Sequence, residues 1–382
     1  MRFLHTADWH VGKTLLQRSR LDEQEQVAAE IVDIARRERV DCLLLAGDVF
    51  DSAAPAPDAQ RVVCDALAEF AGAGIAAVIV GGNHDHQRLA ALRRLAGRLK
   101  IFIRPGARET EEGGVISFDK NGERAKIAML PWIPEHRIVD SRQIARPKAE
   151  WNQVYSEHVA ERCGRLARGF AQNTINILVA HLFVHGAEAS GSERPGHVAQ
   201  PFAIRPEQLP RAQYIALGHI HKPQEVAAPS RCLYAGSPLQ LDFGERGQQK
   251  RVVIIDARPE CPVTIESIPL TSGHQLREVV TTVDQLPAAR GSSDDFLRVV
   301  VKTQTKIHGL PQRVSAVLPN AVIIQQEFAA PAPDRRPSPG FQNPRERFRE
   351  FVREEKHTAV SAAMLEAFDQ LYDEAKNEAD EA

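Results

Sequence analysis

Cysteine is scarce and scattered in this chain. The five cysteines, Cys42, Cys64, Cys163, Cys232 and Cys261, are odd in number and form no CxxC pair. That argues against a disulfide framework and for free thiols in a reducing, cytoplasmic setting. Long apolar runs are missing too, so nothing in the sequence reads as a membrane span. The start, MRFLHTADWH, has too short an apolar stretch for a signal peptide and runs into Asp8 and His10. A basic excess is also lacking: 48 lysines and arginines face 50 aspartates and glutamates, for a net charge of −2. The totals therefore give nucleic-acid binding no support, and local patches have to carry that case. What is present is ordinary material for a large core, with 43% hydrophobic residues in 382, enough for two or more domains.

The first third alternates strand and helix patterns. RFLHT, DCLLLAG, IAAVIVGG and IFI read as strands. Between them lie LDEQEQVAAEIVDIARRERV, with Val27, Ile31 and Ile34 at helical spacing, DAQRVVCDALAEFAGAG, and the basic amphipathic QRLAALRRLAGRLK. Such alternation predicts an α/β sheet with helices packed on it. From about residue 115 short strands dominate, from GVISFD to VTIESIPL, and predict a second sheet packed on the first. The fold expected for residues 1–271 is thus a two-sheet α/β sandwich flanked by helices. The pattern restarts at 272–328 as a small α+β unit without a catalytic cluster. A Pro- and charge-rich linker is expected at 329–343, and two amphipathic helices at 344–382.

Metal-ligand residue types cluster just after predicted strands. They are Asp8 and His10 in TADWH, Asp48 and Asp51 in AGDVFD, and Asn83, His84 and Asp85 in GGNHDH. His181 closes INILVAH, and His219 and His221 follow YIALG. In open α/β sheets, ligands gather at the carboxyl ends of the strands. Taken singly, each has a plain structural reading: Asp8 a helix cap, Asp48 a turn residue after Gly47, Asn83 a left-handed turn, His181 a satisfied core histidine, the His219–His221 pair a polar corner. Together those readings need five independent coincidences at one sheet edge. Two close divalent ions need a bridging carboxylate, and imidazole with carboxylate or amide oxygens suits Mn, Fe or Zn. In a continuing strand His219 and His221 share a face, as a polar corner or as half of one metal site.

DWH, GDVFD, GNHD, a lone strand-end histidine and GHIH, in this order and spacing, resemble the signature of the calcineurin-like metallophosphoesterases. MRFLHTADWHVGKTL, YIALGHIHKPQ and YAGSPLQLDFGE narrow the resemblance to the nuclease subunits of bacterial SbcCD-type complexes, over most of residues 1–270. The resemblance implies two divalent metals, Mn foremost, with Fe, Zn or Mg as alternatives. It implies that Asp8, His10 and His221 hold one metal and Asn83, His181 and His219 the other, with Asp48 bridging. His84 is then a catalytic non-ligand, grouped with Asp85; Asp85 and Asp51 would orient it and the ligands. It also implies a capping role for 272–328, DNA as substrate, and a cytoplasmic, nucleoid-associated location without a membrane. The expected partner is an SbcC-type ABC ATPase with long coiled coils, bound by a homodimer within a heterotetramer. The tail helices would dock on it through Phe348, Phe351, Val352, Met364, Phe368 and Leu371.

Candidates for gripping a phosphate backbone are Lys13, Arg18 and Arg20 after the first motif, and Arg88, Arg93, Arg94 and Arg98 beyond the third. A charge run on a helix is more often only a solvated face. Two rivals to the nuclease reading stand: a metallophosphoesterase for small phosphate esters, and a non-catalytic DNA-tethering scaffold. The first does not need the capping unit and tail; the second does not need His84 or a complete ligand set.

Overall fold

A computed structural model describes residues 1–106, 114–134, 138, 148–193, 203–289, 294–328, 343–356 and 360–380. They fall in two compact units, Met1–Glu327 and Phe328–Ala382. The chain begins with β1 (Arg2–Thr6), α1 (Leu21–Arg37), β2 (Cys42–Ala46), α2 (Pro57–Gly72), β3 (Ala76–Val80), α3 (His86–Ala96) and β4 (Ile101–Arg104). Next come β5 (Val115–Lys120), β6 (Glu123–Leu130), α4 (Lys148–Ala167), β7 (Ile175–His181), β8 (Phe183–Val184) and β9 (Ala203–Ile204). They are followed by β10 (Tyr214–Gly218), β11 (Gln224–Val226), β12 (Arg231–Tyr234), β13 (Arg251–Asp256) and β14 (Thr264–Pro269).

Two six-stranded sheets result, in the orders β14-β13-β1-β2-β3-β4 and β11-β12-β10-β7-β6-β5. β1 to β4 run parallel, as do β6, β7, β10 and β12, while β13 pairs antiparallel with β1 and β14, β5 with β6 and β11 with β12. Alternation along each strand sorts the side chains into layers. Leu43 and Leu45 of β2 face Val27, Ile31, Val63 and Phe70 of α1 and α2. Cys42, Leu44 and Ala46 face the other sheet, against Ile177, Val179, Tyr214 and Ala216. On the far side Leu178, Ala180, Ile215 and Leu217 meet Tyr155, Val159, Cys163 and Leu166 of α4. Each large side chain buried this way is worth about 1.5–3 kcal/mol. This is the two-sheet sandwich that the sequence pattern predicts, with one helix, α4, that the strand-dominated reading of this region does not contain.

β15 (Leu276–Thr282), β16 (Phe296–Thr303), α5 (Leu310–Val317) and β17 (Ala321–Phe328) follow, the strands forming a three-stranded sheet. Its core is its own: Leu297, Val299 and Val301 pack with Leu310 and Val314. Carboxylates of α1 hold the chain leading into it. Glu30 accepts from Thr271 N and Ser272 N, both at 2.9 Å, and Glu23 from His274 N at 2.8 Å. In the second unit α6 (Pro344–Lys356) and α7 (Ala362–Asp380) are joined by stacked rings of Phe348 and Phe368, 4.4 Å between centroids, and by an Arg345–Asp369 ion pair at 3.2 Å. The predicted linker lies outside the described residues except for Asn343.

Candidate metal centre

The parallel strands of both sheets end at one edge, and there the backbone turns sharply. Asp8, His10, Asp48 and His219 all have positive φ, at 53°, 45°, 46° and 101°. Such conformations cost roughly 1–3 kcal/mol each and persist only where the surroundings enforce them. Here the loops after β1 and β2 are zipped together by Asp8 N to Gly47 O and His10 N to Asp48 O, both 3.0 Å. Glycines make the close approach possible. A Cβ on Gly82 would sit 1.9 Å from Asp48 Oδ1, and one on Gly47 would sit 2.1 Å from His181 Nδ1. The register pairs Gly218 with His181, so β7 and β10 end level.

The seven residues named as ligands from the sequence converge. His10 Nε2 lies 3.2 Å from His221 Nε2 and 3.6 Å from Asp48 Oδ2. His181 Nε2 lies 3.0 Å from Asn83 Oδ1 and 3.4 Å from Asp48 Oδ2, and His219 Nδ1 is 3.1 Å from the same Asn83 oxygen. Asp8 is held by the His219 amide at 3.0 Å, with His181 Nδ1 3.8 Å away. Donor atoms of Asp8, His10 and His221 lie within 4.8 Å of one another, as do those of Asp8, Asp48 and His181, and those of His10, Asp48 and His84. The two histidines of GHIH therefore part company. Chain geometry at His219, beyond the last residue of β10, breaks the same-face rule of a continuing strand and sends the two rings to different partners.

The donor set fits divalent cations. His10 Nδ1–H donates to Asp51 at 3.1 Å, and His181 Nδ1–H to the Ala46 carbonyl at 2.9 Å, so in the neutral rings Nε2 carries a lone pair toward the centre. Lone pairs of His10 and His221 meeting at 3.2 Å, or of His181 with amide and carboxylate oxygens, repel unless a cation or a proton lies between. The charges agree. Burial alone lowers His181, but Asp48 and Asp8 outweigh it and hold it up at about 9. Burial pushes Asp8 up to about 7 despite the pull of His181 and His221. Burial would also raise Asp48, but His181 overrides it and keeps this carboxyl well below its usual value. His10 is lowered to about 4 by burial, against the pull of Asp51. No cysteine enters the set, which sets it apart from structural zinc sites.

The remaining predicted residues take distinct places. His84 is the most open of the site's histidines, its side chain 11% exposed. Its N–H donates to Asp48 Oδ1 at 3.0 Å, its Nδ1 to the Asp51 carbonyl at 2.7 Å, and its Nε2 lies 3.9 Å from Asp48 Oδ2. Asp85, grouped with it from the sequence, is fully buried and accepts the amides of Val49, Phe50 and Gly82 at 2.6, 3.1 and 3.0 Å. It ties the β2 and β3 loops together. Asp51 orients His10 and receives Lys13 Nζ at 3.3 Å. Arg20 needs correction as a DNA-contact candidate. It is 3% exposed, and its guanidinium holds Glu23 at 2.7 Å and the Gln240 carbonyl and lies over the Phe296 ring, which leaves no surface for phosphate. Arg18, Arg93 and Arg98 are exposed; the side chains of Arg88 and Arg94 lie outside the described residues. In the tail Phe348 and Phe368 stack on each other and Val352 is buried, whereas Phe351, Met364 and Leu371 are exposed.

Sequence reading missed several residues of the site. Trp132 stacks on His219, 4.9 Å between rings, and stands edge-on to His181. Behind His221 lies a polar group formed by Ser192, Glu193, Glu245 and Lys250, of which Glu193, Glu245 and Lys250 are buried. Glu193 accepts the His221 amide at 2.9 Å. Glu245 is the last residue of GSPLQLDFGE, so its motif was visible while its task was not.

The sequence profile of the calcineurin-like phosphoesterases matches residues 1–223. The chain belongs to this family. Within it, similar proteins are those named as the SbcD component of the nuclease SbcCD. The protein of that name from Bacillus subtilis is 34% identical over 280 residues, covering 72% of this chain and 71% of the relative. That from Rhodobacter capsulatus is 31% identical over 343 residues, 83% and 84% of the two chains. That from Escherichia coli K12 is 26% identical over 332 residues, 83% and 82%. Among the described residues no helix is long and apolar enough to cross a membrane.

Proposed function

We propose that this chain is the nuclease subunit of an SbcCD-type complex, hydrolysing DNA phosphodiesters with two divalent metals, Mn foremost. The carrying observation is the convergence of Asp8, His10, Asp48, Asn83, His181, His219 and His221 from five strand ends at one edge, in a chain whose relatives are named as SbcCD nuclease components. Asp8, His10 and His221 would hold one metal and Asn83, His181 and His219 the other, with Asp48 Oδ2 lying near His10 and His181. Nitrogen and oxygen donors without thiolate favour Mn or Fe over sites built for soft ions. When bound, the pair of ions supplies an acidified water and positive charge against the phosphate. The protein's own part is positional. Asp51 and the Ala46 carbonyl fix the tautomers of His10 and His181, and Trp132 backs the His219 ring. With Nδ1 committed to the Asp51 carbonyl, His84 has Nε2 left to carry a proton to the leaving oxygen.

Residues 272–328 form the capping unit on this reading. Exonuclease action on double-stranded ends and endonuclease action on single strands and hairpins, in DNA repair and recombination, belong to the same proposal. So does a homodimer joined to an SbcC-type ATPase in a heterotetramer. Arg18, Arg93 and Arg98, exposed, and Lys13, beside Asp51, are the described cations offered to the DNA backbone. The rival reading, a phosphoesterase for small substrates, is separated by one assay. With Mn present, the protein is given labelled duplex and single-stranded DNA beside a small aryl phosphodiester. Cleavage of DNA far above the small diester is expected. Intact DNA beside rapid hydrolysis of the small diester would establish the rival, and DNA bound but never cut would leave only a tethering role.

A further inference from the structure

Two histidines of the centre are backed in the same uncommon way. His10 Nδ1 meets Asp51 Oδ1 at 3.1 Å, and Lys13 Nζ meets that same oxygen at 3.3 Å. His221 Nδ1 meets Glu245 Oε1 at 3.2 Å, and Lys250 Nζ meets Glu245 Oε2 at 2.5 Å. Ser192 Oγ closes the second arrangement: it lies 2.6 Å from His221 Nδ1 and donates to Glu245. Two lysine–carboxylate–histidine arms thus meet, their histidine Nε2 atoms 3.2 Å apart. Of the other two histidines, His181 Nδ1 reaches the Ala46 carbonyl at 2.9 Å and the His219 ring lies against the face of Trp132.

The Glu245 arm is also the more deeply buried. Glu245 is 0% exposed and Lys250 4%, against 31% and 25% for the side chains of Asp51 and Lys13. Lys250 further donates to the His221 carbonyl, the Ser237 hydroxyl and the Gln248 side chain, all at 2.9 Å, and Glu245 accepts Ser237 Oγ at 3.1 Å and Leu241 N at 3.2 Å. Burying an ion pair brings little net stability over an apolar pair of the same size. A buried pair whose carboxylate reaches His221 Nδ1 and whose lysine holds the His221 carbonyl is explained better by what it does to that histidine. A carboxylate can only accept, so the His221 proton is fixed on Nδ1, shared between Ser192 and Glu245, and Nε2 is left as the ligand atom.

We propose that Glu245, balanced by Lys250 and bridged by Ser192, is a positioning residue for His221, so that losing this support weakens the metal position His221 serves and spares the other. The proposal rests on the reading of Asp8, His10 and His221 as one metal position. Carboxylate backing makes the imidazole a stronger donor, and loss of such a partner typically weakens metal affinity 10–100-fold.

The test counts Mn on the full-length protein by calorimetry and by electron paramagnetic resonance of the free ion. Wild type is expected to bind two equivalents. Glu245→Gln alone strands a buried lysine, so it is paired with Lys250→Met. The folded double variant is expected to bind one equivalent as wild type does and the other about 10–100-fold more weakly. Ser192→Ala, which leaves both charges in place, is expected to give a smaller loss at the same single equivalent. Two unchanged equivalents in both variants would overturn the proposal, and so would an equal loss of both, which is what a merely structural role gives. A wild type that binds no second Mn would overturn the two-metal reading itself, a result distinct from either.

Discussion

His181 shows how a single side chain records what the site is for. It is fully buried, yet Asp48 and Asp8 hold its proton up to about 9, against the effect of burial. Asp8 keeps a proton to about 7 because of burial. Both values are raised, so the metal-free protein carries protons near neutrality on groups that a divalent ion needs deprotonated. Binding must expel them, and affinity for Mn is predicted to rise as pH goes from 6 to 9. Calorimetry in buffers of differing ionisation enthalpy measures this as proton release near pH 7; an affinity flat over that range would contradict the assignment. The residues that converge at the site were legible in the sequence because Asp, Asn and His recur just after apolar runs. Glu245 and Trp132 were not. A histidine's hydrogen-bond partner or ring neighbour comes from wherever the fold brings it, and no spacing in the chain marks it.

At the scale of elements the strands were legible because β2, β3 and β10 are buried throughout, as CLLLA, AAVIV and YIALG announce. Helix α4 was not. Its buried positions, Tyr155, Val159, Cys163 and Leu166, form a narrow stripe among charged neighbours. Nor was the break at His219 legible, since a φ of 101° on a histidine is imposed by the Asp8 carboxylate accepting its amide, 211 residues away. The tail helices divide their apolar residues between two tasks. Phe348 and Phe368 stack on each other, while Phe351, Met364 and Leu371 stay exposed at 60%, 44% and 65%. Exposed apolar residues on helices of this kind fit a partner's groove. A chain lacking residues 340–382 is predicted to lose co-purification with the SbcC-type ATPase while keeping Mn-dependent cleavage of single strands. Co-purification of the truncated chain would defeat the tail's assignment.

For the whole molecule, the sandwich explains why the site is one site. Two sheets packed face to face bring five strand ends to one edge, and each contributes from a different stretch of sequence between Asp8 and His221. Asp85 and the paired loops after β1 and β2 lock that edge, so the strained backbone at Asp8, His10 and Asp48 has one conformation to adopt. On the proposed reading Asp48 belongs to the ligands and His84 to the chemistry. The measurement that bears most directly on this is Mn content and DNA cleavage, taken together, on wild type, Asp48→Ala and His84→Ala. Both variants are expected to lose cleavage by at least about 100-fold, in keeping with the weight of a general acid or a ligand. Only Asp48→Ala is expected to lose metal. A His84→Ala protein that cuts DNA at the wild-type rate, or an Asp48→Ala protein that keeps two Mn, would contradict the account.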